Sequence, residues 1–252
     1  MSELDAALAE VARTETLLVA LDFDGTLSPL VDEPLAARAL PEAQQAVRDL
    51  CALPHTRVAL ISGRALDSLM QVAQVPDAVL LSGSHGIEER FDAPPALTLS
   101  PDELGRVAAL RSALDDAITG LPEVWIETKP AGFAVHTRLA TPTDRAAAEE
   151  RSRHAVASLP GLTERVGSNV VEFSVRSTTK GDAVTRLREL TGATAVVFAG
   201  DDVTDEDAFA VLGAHDVGIK CGPGDTRASH RVDSPAEVAG ALAELARVRA
   251  TR

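Results

Sequence analysis

Two short apolar segments, each running into acidic residues, constrain the fold of this chain more than any other feature. Leu17 to Phe23 is a nearly unbroken apolar run that carries one aspartate, and Thr194 to Ala199 leads into Gly200-Asp201-Asp202. Short runs this apolar are typical of strands buried on both faces of a parallel sheet. The sequence therefore predicts an α/β fold with acidic side chains at the ends of strands.

Periodicity supports this prediction on both sides of a differently patterned middle block. Pro41 to Leu53 has apolar residues at steps of three and four, which indicates a helix with proline in its first turn. Strand, helix and strand joined by short glycine-containing turns suggest a βαβ unit. The other elements predicted for this part are strands at Arg57 to Ile61, Ala78 to Leu81 and Val217 to Lys220, and helices at Gly181 to Leu190, closed by Gly192, and Pro235 to Val248.

The middle block has the pattern of helices and antiparallel strands. Ser100 and Glu103 have the spacing of a capping box, and a helix is predicted from there to Ile118. The other predicted elements are a hairpin of Val124 to Lys129 and Gly132 to Leu139, a helix at Thr143 to Leu159, and a hairpin of Thr163 to Val166 and Asn169 to Val175 that turns at Gly167-Ser168-Asn169. We predict a Rossmann-like parallel-sheet core formed by residues 1–87 and 174–252, with an α/β domain inserted at residues 88–173.

Composition excludes several classes of partner. The chain has 252 residues and a formal net charge of −14, and such a surface repels nucleic acid and anionic lipid. Cys51 and Cys221 lack metal-ligand spacing, and two reduced thiols fit a cytosolic protein. Met1 to Thr16 lacks the pattern of a signal peptide, and no run approaches the roughly 18 apolar residues of a membrane span. We expect a cytoplasmic monomer that binds neither nucleic acid nor membrane.

The carboxylates at the strand ends indicate a cation. If the two acidic strands are parallel neighbours, Asp22, Asp24 and Asp201 meet at one sheet edge, where ligands of such sheets bind. Crowded carboxylates raise one another's pKa unless a cation lies between them, and Mg²⁺ suits sparse carboxylate coordination. The alternative, a solvated acidic helix start, accounts for Glu206 and Asp207. It does not account for Asp22, because a solvated turn needs no apolar strand before it.

Two further segments fit a phosphate group. Ser62-Gly63-Arg64 follows a predicted strand, where a hydroxyl and backbone amides can hold a phosphoryl oxygen. Lys180 begins the helix at which the core resumes, where an ammonium could hold a nucleophilic carboxylate and a phosphate together. Each segment also has an ordinary explanation, since Ser-Gly is common in turns and a lysine at a helix start is usually solvated.

Taken in order, the motifs resemble those of the haloacid dehalogenase superfamily of phosphatases. They are Asp-x-Asp-Gly-Thr from Asp22, Ser-Gly-Arg from Ser62, Lys180, and Gly-Asp-Asp-x-x-Asp ending at Asp205. The resemblance implies that Asp22 attacks phosphorus and forms an aspartyl-phosphate. It also implies that Asp24 protonates the leaving oxygen and then activates water, and that Ser62 and Lys180 bind the phosphoryl group.

The same resemblance implies the ligands of a magnesium ion. Asp22, the backbone carbonyl of Asp24, and Asp201 would contact Mg²⁺, with Asp205 binding through water or orienting the site. Asp202 is the alternative for that outer role. The inserted domain is similar to the larger α/β cap of this superfamily, which closes over the site and selects the leaving group.

Finer motifs resemble the trehalose-6-phosphate phosphatases. They are Leu21 to Pro29, Ser62 to Arg64, Gly83 to Gly86, Lys129 to Arg138, and Gly200 to Phe209. This resemblance implies hydrolysis of trehalose 6-phosphate, a small-molecule sugar phosphate. The residues it implies for substrate binding are Arg64, His85, Lys129, His136, Arg138 and Glu172. On extended strands His136 and Arg138 share a face, and the alternative for both is a solvated sheet face.

One departure leaves the substrate open. Relatives commonly have Arg-Pro two residues after the cap glutamate, where this chain has Ser174-Val175, and Arg176 is the nearest candidate to replace that guanidinium. The alternatives are a phosphatase for another sugar phosphate, such as sucrose phosphate or a glycosylglycerate phosphate, a phosphomutase, and a non-catalytic sugar-phosphate sensor. The sensor is disfavoured because Asp22, Asp24, Lys180 and Asp201 are all present.

Overall fold

The computed structural model describes residues 2–91, 99–167 and 169–251. Its contacts divide the chain into two compact units. The first unit comprises Met1–Pro95 and Thr178–Arg252, and the second comprises Ala96–Ser177.

The first unit is built on a largely parallel sheet. Within the described residues the sheet has seven strands in the order β11-β10-β9-β1-β2-β3-β4, and only the β3–β4 pair is antiparallel. The strands are β1 (Leu17–Leu21), β2 (Thr56–Ile61), β3 (Leu80–Gly83), β4 (Glu88–Arg90), β9 (Ala195–Gly200), β10 (Val217–Cys221) and β11 (His230–Val232). The two acidic strands of the sequence, β1 and β9, are parallel neighbours.

Helices cover both faces of this sheet. They are α1 (Glu3–Val11), α2 (Pro41–Cys51), α3 (Leu66–Ala73), α6 (Lys180–Thr191), α7 (Asp205–Ala210) and α8 (Pro235–Arg249). Successive side chains of a strand point to opposite faces. Accordingly, Leu17 and Val19 lie in the core shared with α1, α2, α3 and α8, whereas Leu18 and Ala20 lie in the core shared with α6 and α7. Every residue of β1 is buried.

The helix α6 begins at the lysine singled out from the sequence. The Thr179 side chain accepts a hydrogen bond from the Asp182 amide, and the Asp182 carboxylate accepts one from the Thr179 amide. This capping box fixes the first turn of the helix and therefore the origin of the Lys180 side chain. Gly192 ends the helix in the left-handed conformation, at φ +63°, as the sequence predicts.

The described residues of the second unit form an antiparallel sheet and two helices. Its sheet has the order β5-β6-β8-β7, from β5 (Trp125–Lys129), β6 (Gly132–His136), β7 (Thr163–Gly167) and β8 (Val170–Ser174), and its helices are α4 (Pro101–Ile118) and α5 (Pro142–Val156). One sheet face packs on the helices through Phe133, Val135, Val171 and Phe173. The predicted capping box of Ser100 and Glu103 begins α4.

The predicted α/β class is confirmed, while several predicted boundaries shift. The first unit continues past the predicted boundary at residue 88, because β4 pairs with β3, and the second unit ends at Ser177 rather than at residue 173. The predicted strand Leu17 to Phe23 ends at Leu21, and the predicted strand to Leu139 ends at His136. The predicted turn at Gly167-Ser168-Asn169 includes Ser168, which lies outside the described residues. In the part of the chain that is described, no helix is long and apolar enough to cross a membrane.

Candidate active site

The site begins where β1 ends and the chain turns. The Asp22 amide donates to the Ala199 carbonyl at 2.9 Å, which extends the pairing with β9 by one residue. Gly25 then adopts φ +77°, a conformation that other residues resist. A Cβ on Gly25 would lie 2.0 Å from Oδ2 of Asp201, so glycine also allows this carboxylate to approach the backbone. The turn therefore brings the acidic ends of β1 and β9 together.

Three carboxylates form a cluster at this edge. Asp22, Asp201 and Asp205 each offer an oxygen, and these oxygens all lie within 4.8 Å of one another. Asp22 and Asp205 are buried, and Asp201 is half-buried. Asp205 belongs to the cluster, whereas Asp202, the alternative from the sequence, is exposed and its carboxylate accepts a hydrogen bond from the Val203 amide.

Lys180 lies between two of these carboxylates. Its Nζ donates to Oδ1 of Asp22 and to Oδ1 of Asp205, each at 2.7 Å, and the lysine side chain is 3% exposed. Burial lowers the lysine pKa, but Asp205 and Asp22 reverse this effect and hold it above its usual value. Lys180 is therefore a permanent cation in contact with Asp22.

One ammonium does not balance three carboxylates. Burial raises the pKa of Asp22 well above its ordinary value, despite the opposing effect of Lys180. Burial, together with the charge of Asp205, raises the pKa of Asp201 to about 6. Carboxylate oxygens are the donors that Mg²⁺ prefers, and a divalent cation would offset the excess negative charge. The cluster therefore fits Mg²⁺.

Asp24 does not share this cluster. Its carboxylate accepts two hydrogen bonds from Arg64, from Nε to Oδ2 and from Nη2 to Oδ1, each at 2.6 Å. The strand β1 ends at Leu21, so Asp22 to Asp24 do not continue in an extended alternation, and the Asp24 carboxylate lies outside the group formed by Asp22, Asp201 and Asp205. Arg64, which was predicted to contact substrate, is thus paired with Asp24 in the structure.

The Ser-Gly-Arg segment follows β2 beside the site. Ser62 is buried, and its Oγ accepts a hydrogen bond from the Arg64 amide at 3.1 Å. The His85 amide donates to the Ser62 carbonyl at 3.0 Å, and the His85 ring lies where a Cβ on Gly63 would approach within 2.7 Å. The structure thus places His85 next to the predicted phosphate-binding segment.

Two residues that were given no role from the sequence also contact the acidic cluster. The Thr26 hydroxyl lies 3.3 Å from Oδ2 of Asp22 and 3.3 Å from Oδ1 of Asp201. Lys220 is buried at the end of β10, and its ammonium donates to the Asp201 backbone carbonyl. The sequence feature that could have identified Lys220 is its position inside the apolar run Val217 to Cys221.

The face of the second unit's sheet that does not pack on its helices gathers polar side chains. Glu127 accepts a hydrogen bond from Lys129 and pairs with Nε2 of His136, both at 2.8 Å. Burial opposes ionisation of Glu127, yet the hydrogen bonds with His136 and Lys129 prevail and lower its pKa to about 2. On the same face, Glu172 lies 3.9 Å from Arg165, and burial raises the pKa of Glu172.

Two strands of this unit end before arginines that the sequence analysis considered for substrate binding. Arg138 does not share a strand face with His136, because β6 ends at His136 and Arg138 lies in the following turn. Likewise β8 ends at Ser174, so Arg176 does not continue the alternation. The Arg176 guanidinium instead pairs with the Glu103 carboxylate at 2.9 Å, at the start of α4.

Comparison with known proteins agrees with this architecture. The family model described as trehalose-phosphatase matches residues 20–239. A trehalose-phosphate phosphatase of Mycobacterium marinum is 34% identical over 98% of this chain and 67% of its own length. A protein of Oryza sativa subsp. japonica, named a probable trehalose-phosphate phosphatase, is 30% identical over 95% of this chain and 70% of its own length.

Solved structures agree on the fold. The C-terminal domain of the trehalose-6-phosphate phosphatase of C. albicans has a TM-score of 0.82 at 21% identity, with 97% of each chain covered. A sugar phosphatase of haloacid dehalogenase subclass IIB has a TM-score of 0.62 at 14% identity, covering 90% of this chain and 96% of the other. The fold is thus that of the haloacid dehalogenase superfamily, and the chain belongs to the trehalose-phosphatase family.

Proposed function

We propose that this protein hydrolyses trehalose 6-phosphate to trehalose and phosphate, through an aspartyl-phosphate on Asp22 and with Mg²⁺ as cofactor. The observation that carries the proposal is the buried Asp22 carboxylate, 2.7 Å from Lys180 and grouped with Asp201 and Asp205 at the end of β1. Membership of the trehalose-phosphatase family supports the substrate.

The cation would be held by Asp22, Asp201 and Asp205, together with the backbone carbonyl of Asp24. Bound there, Mg²⁺ supplies neutralising charge for the phosphoryl oxygens. Asp202 is not part of this proposal, because its exposed carboxylate lies outside the cluster.

The chain's own residues then carry the first step. A carboxylate oxygen of Asp22 attacks phosphorus, and the bond between phosphorus and the sugar oxygen breaks. Lys180, already in contact with Asp22, orients the nucleophile and balances the charge of the incoming phosphate. Ser62 holds a phosphoryl oxygen through its hydroxyl. A proton from Asp24 reaches the sugar oxygen as it leaves.

The second step returns the enzyme to its starting state. Water attacks the phosphorus of the aspartyl-phosphate, and Asp24 takes the proton that the water loses. The bond between phosphorus and the Asp22 oxygen breaks, which releases phosphate and restores the Asp22 carboxylate. The two hydrogen bonds from Arg64 fix the orientation of the Asp24 carboxylate. In the first step Asp24 must carry a proton, which requires one of its oxygens to leave Arg64. We propose that Arg64 both positions Asp24 and contacts substrate.

We propose that the second unit is the cap that selects the leaving group. Its polar sheet face offers hydrogen-bonding groups to sugar hydroxyls. The residues proposed for this contact are Lys129, His136, Arg138 and Glu172, with His85 contributing from the first unit. We also propose that the protein works in the cytoplasm as a monomer, without nucleic acid or membrane partners.

A different sugar phosphate is the second candidate substrate. Ser174 and Val175 replace the arginine and proline common in relatives, and the Arg176 guanidinium is paired with Glu103. A chain without that arginine would contact the sugar differently, so sucrose phosphate and glycosylglycerate phosphates are tested beside trehalose 6-phosphate.

The test is phosphate release from this panel of sugar phosphates, with Mg²⁺ and with EDTA. We expect release from trehalose 6-phosphate with Mg²⁺ alone, and no turnover for Asp22→Asn, because an amide is a poor nucleophile. The matched control is Asp207→Asn, which removes an exposed carboxylate of α7 and should retain activity.

Each contrary outcome has a definite meaning. Preference for another sugar overturns the substrate but leaves the mechanism. Normal turnover by Asp22→Asn overturns the mechanism. An isomerised sugar phosphate without free phosphate indicates a mutase, and no reaction with any compound favours a sensor.

A further inference from the structure

Trp125 occupies an unusual position for the only tryptophan of a chain that contains no tyrosine. It begins β5, an outer strand of the second unit's sheet, and is 41% exposed. Large aromatic side chains gain most by burial, so an exposed indole on a polar face invites a functional explanation.

The indole is held in a fixed orientation. Trp125 is the cross-strand partner of His136, and the two rings stack with centroids 4.9 Å apart and planes 8° apart. The His136 ring is itself oriented, since its Nε2 lies 2.8 Å from Oε2 of Glu127. The stack therefore sets the plane of the indole before any ligand arrives.

One face of the indole is left for a ligand. His136 covers the face directed toward β6. Among the described strands, none pairs with the other edge of β5, so the opposite indole face is directed away from the sheet. A flat apolar surface is thus presented beside charged and hydrogen-bonding groups.

The neighbouring side chains identify the ligand chemistry. Glu127 and Lys129 are the second and fourth residues after Trp125 on β5, so all three side chains share one face of the sheet. Glu172 of β8 lies on the same face. Carboxylates repel a phosphate but accept hydrogen bonds from hydroxyls. A pyranose ring has equatorial hydroxyls around its edge and an apolar C–H face, which matches an aromatic surface flanked by carboxylates and an ammonium.

We propose that Trp125 is a sugar-stacking residue, whose exposed indole face packs against the C–H face of a pyranose ring of the substrate. His136 is the positioning residue that holds the indole in this orientation. This inference rests on the proposed function, because it assigns to the same site a residue that selects the sugar.

The first test compares Trp125→Ala and Trp125→Phe with the wild type. Aromatic stacking contributes on the order of 1 kcal/mol, so Trp125→Ala should raise the KM for trehalose 6-phosphate roughly 5- to 10-fold with kcat retained. Trp125→Phe should fall between the two. Hydrolysis of methyl phosphate, which has neither a sugar nor an aromatic ring, should be unchanged in both variants.

Val166→Ala provides the matched control. Val166 is an apolar residue, 65% exposed, on β7, the opposite outer strand of the same sheet. We expect its KM to equal that of the wild type. An equal rise in KM for Val166→Ala and Trp125→Ala, or parallel losses with methyl phosphate, would assign Trp125 a merely structural role and overturn the proposal.

The second test needs no turnover. Since Trp125 is the only tryptophan, intrinsic fluorescence reports on this position alone. Trehalose titrated into the EDTA-treated protein should change the emission saturably, while glycerol and inorganic phosphate should not. His136→Ala should lower the emission anisotropy of the protein without ligand, because it frees the indole that His136 stacks against.

The two proposals fail in different ways. The stacking role is overturned if Trp125→Ala hydrolyses trehalose 6-phosphate with an unchanged KM and trehalose does not change the emission of the wild type. The proposed function then stays intact. If the wild type instead hydrolyses another sugar phosphate, the same comparison is made with that compound. If it hydrolyses none, the proposed function fails, and saturable emission changes with sugars alone decide the stacking role.

Discussion

Replacing Lys180 by methionine should separate the stability of the acidic cluster from its chemistry. Lys180→Met keeps a long apolar stem and removes the charge that lies 2.7 Å from both Asp22 and Asp205. All three side chains are at most 5% exposed, so water cannot replace the lost ammonium. Two buried carboxylates are then left without their cation.

The magnitude follows from opposing effects. At an effective dielectric constant near 20, each close ion pair contributes about 4 kcal/mol of attraction, against which burying the ammonium costs several kcal/mol. Measured losses on breaking a buried pair are about 3–5 kcal/mol. With a shift of roughly 2–4 °C per kcal/mol for a domain of this size, Tm should fall by about 6–20 °C in EDTA.

Urea unfolding in EDTA at pH 7 measures this loss. Lys180→Arg, which retains the charge, should lose less stability than Lys180→Met. Adding Asp205→Asn to Lys180→Met should recover part of the loss, since one uncompensated charge disappears. Turnover with Mg²⁺ should fall roughly 100-fold or more in Lys180→Met. A loss of stability below about 1 kcal/mol, or a further loss on adding Asp205→Asn, would refute the electrostatic reasoning.

Three more predictions concern neighbouring charges. In the EDTA-treated protein the folded state holds the pKa of Asp201 at about 6, against an ordinary value of 3.8. The folded state therefore binds an extra proton as the pH falls below 6, and the free energy of unfolding should rise by about 1 kcal/mol from pH 7 to pH 5. Urea titrations of the wild type and Asp201→Asn measure this, and equal pH slopes would contradict it. Lys220→Met should cost about 1.5–3 kcal/mol, because the Asp201 carbonyl loses a buried charged donor, and unchanged urea unfolding would exclude that role. Arg176→Met should raise the pKa of Glu103, now about 2 chiefly through its hydrogen bond with Arg176, while leaving the sugar-phosphate KM unchanged. NMR titration and kinetics test this, and a raised KM would show that Arg176 contacts substrate.

The sequence predicted the elements that depend on local patterns. Apolar runs located β1 and β9, and their acidic ends placed Asp22 and Asp201 at one edge of the sheet. The helix starting at Lys180 followed from its periodicity and from Gly192. In each case, burial of the whole segment leaves one arrangement that satisfies both the apolar pattern and the backbone hydrogen bonds.

What the sequence did not predict depends on where strands end and on long-range contacts. Asp24 was expected to point the same way as Asp22 only if the strand continued, and β1 ends at Leu21. The pairing of Asp24 with Arg64 joins residues 40 positions apart and has no local signal. The burial of Lys220 depends on the neighbouring strand β9, so its role became visible only from the sheet order.

The most direct test of the central claim is to identify the residue that carries the phosphoryl group during turnover. The enzyme is quenched while hydrolysing trehalose 6-phosphate with Mg²⁺ and reduced with borohydride, which converts an aspartyl-phosphate to homoserine, and its peptides are then analysed by mass spectrometry. The account predicts homoserine at position 22, and none in Asp22→Asn. Homoserine at position 201 or 205, or trapping that persists in Asp22→Asn, would contradict it.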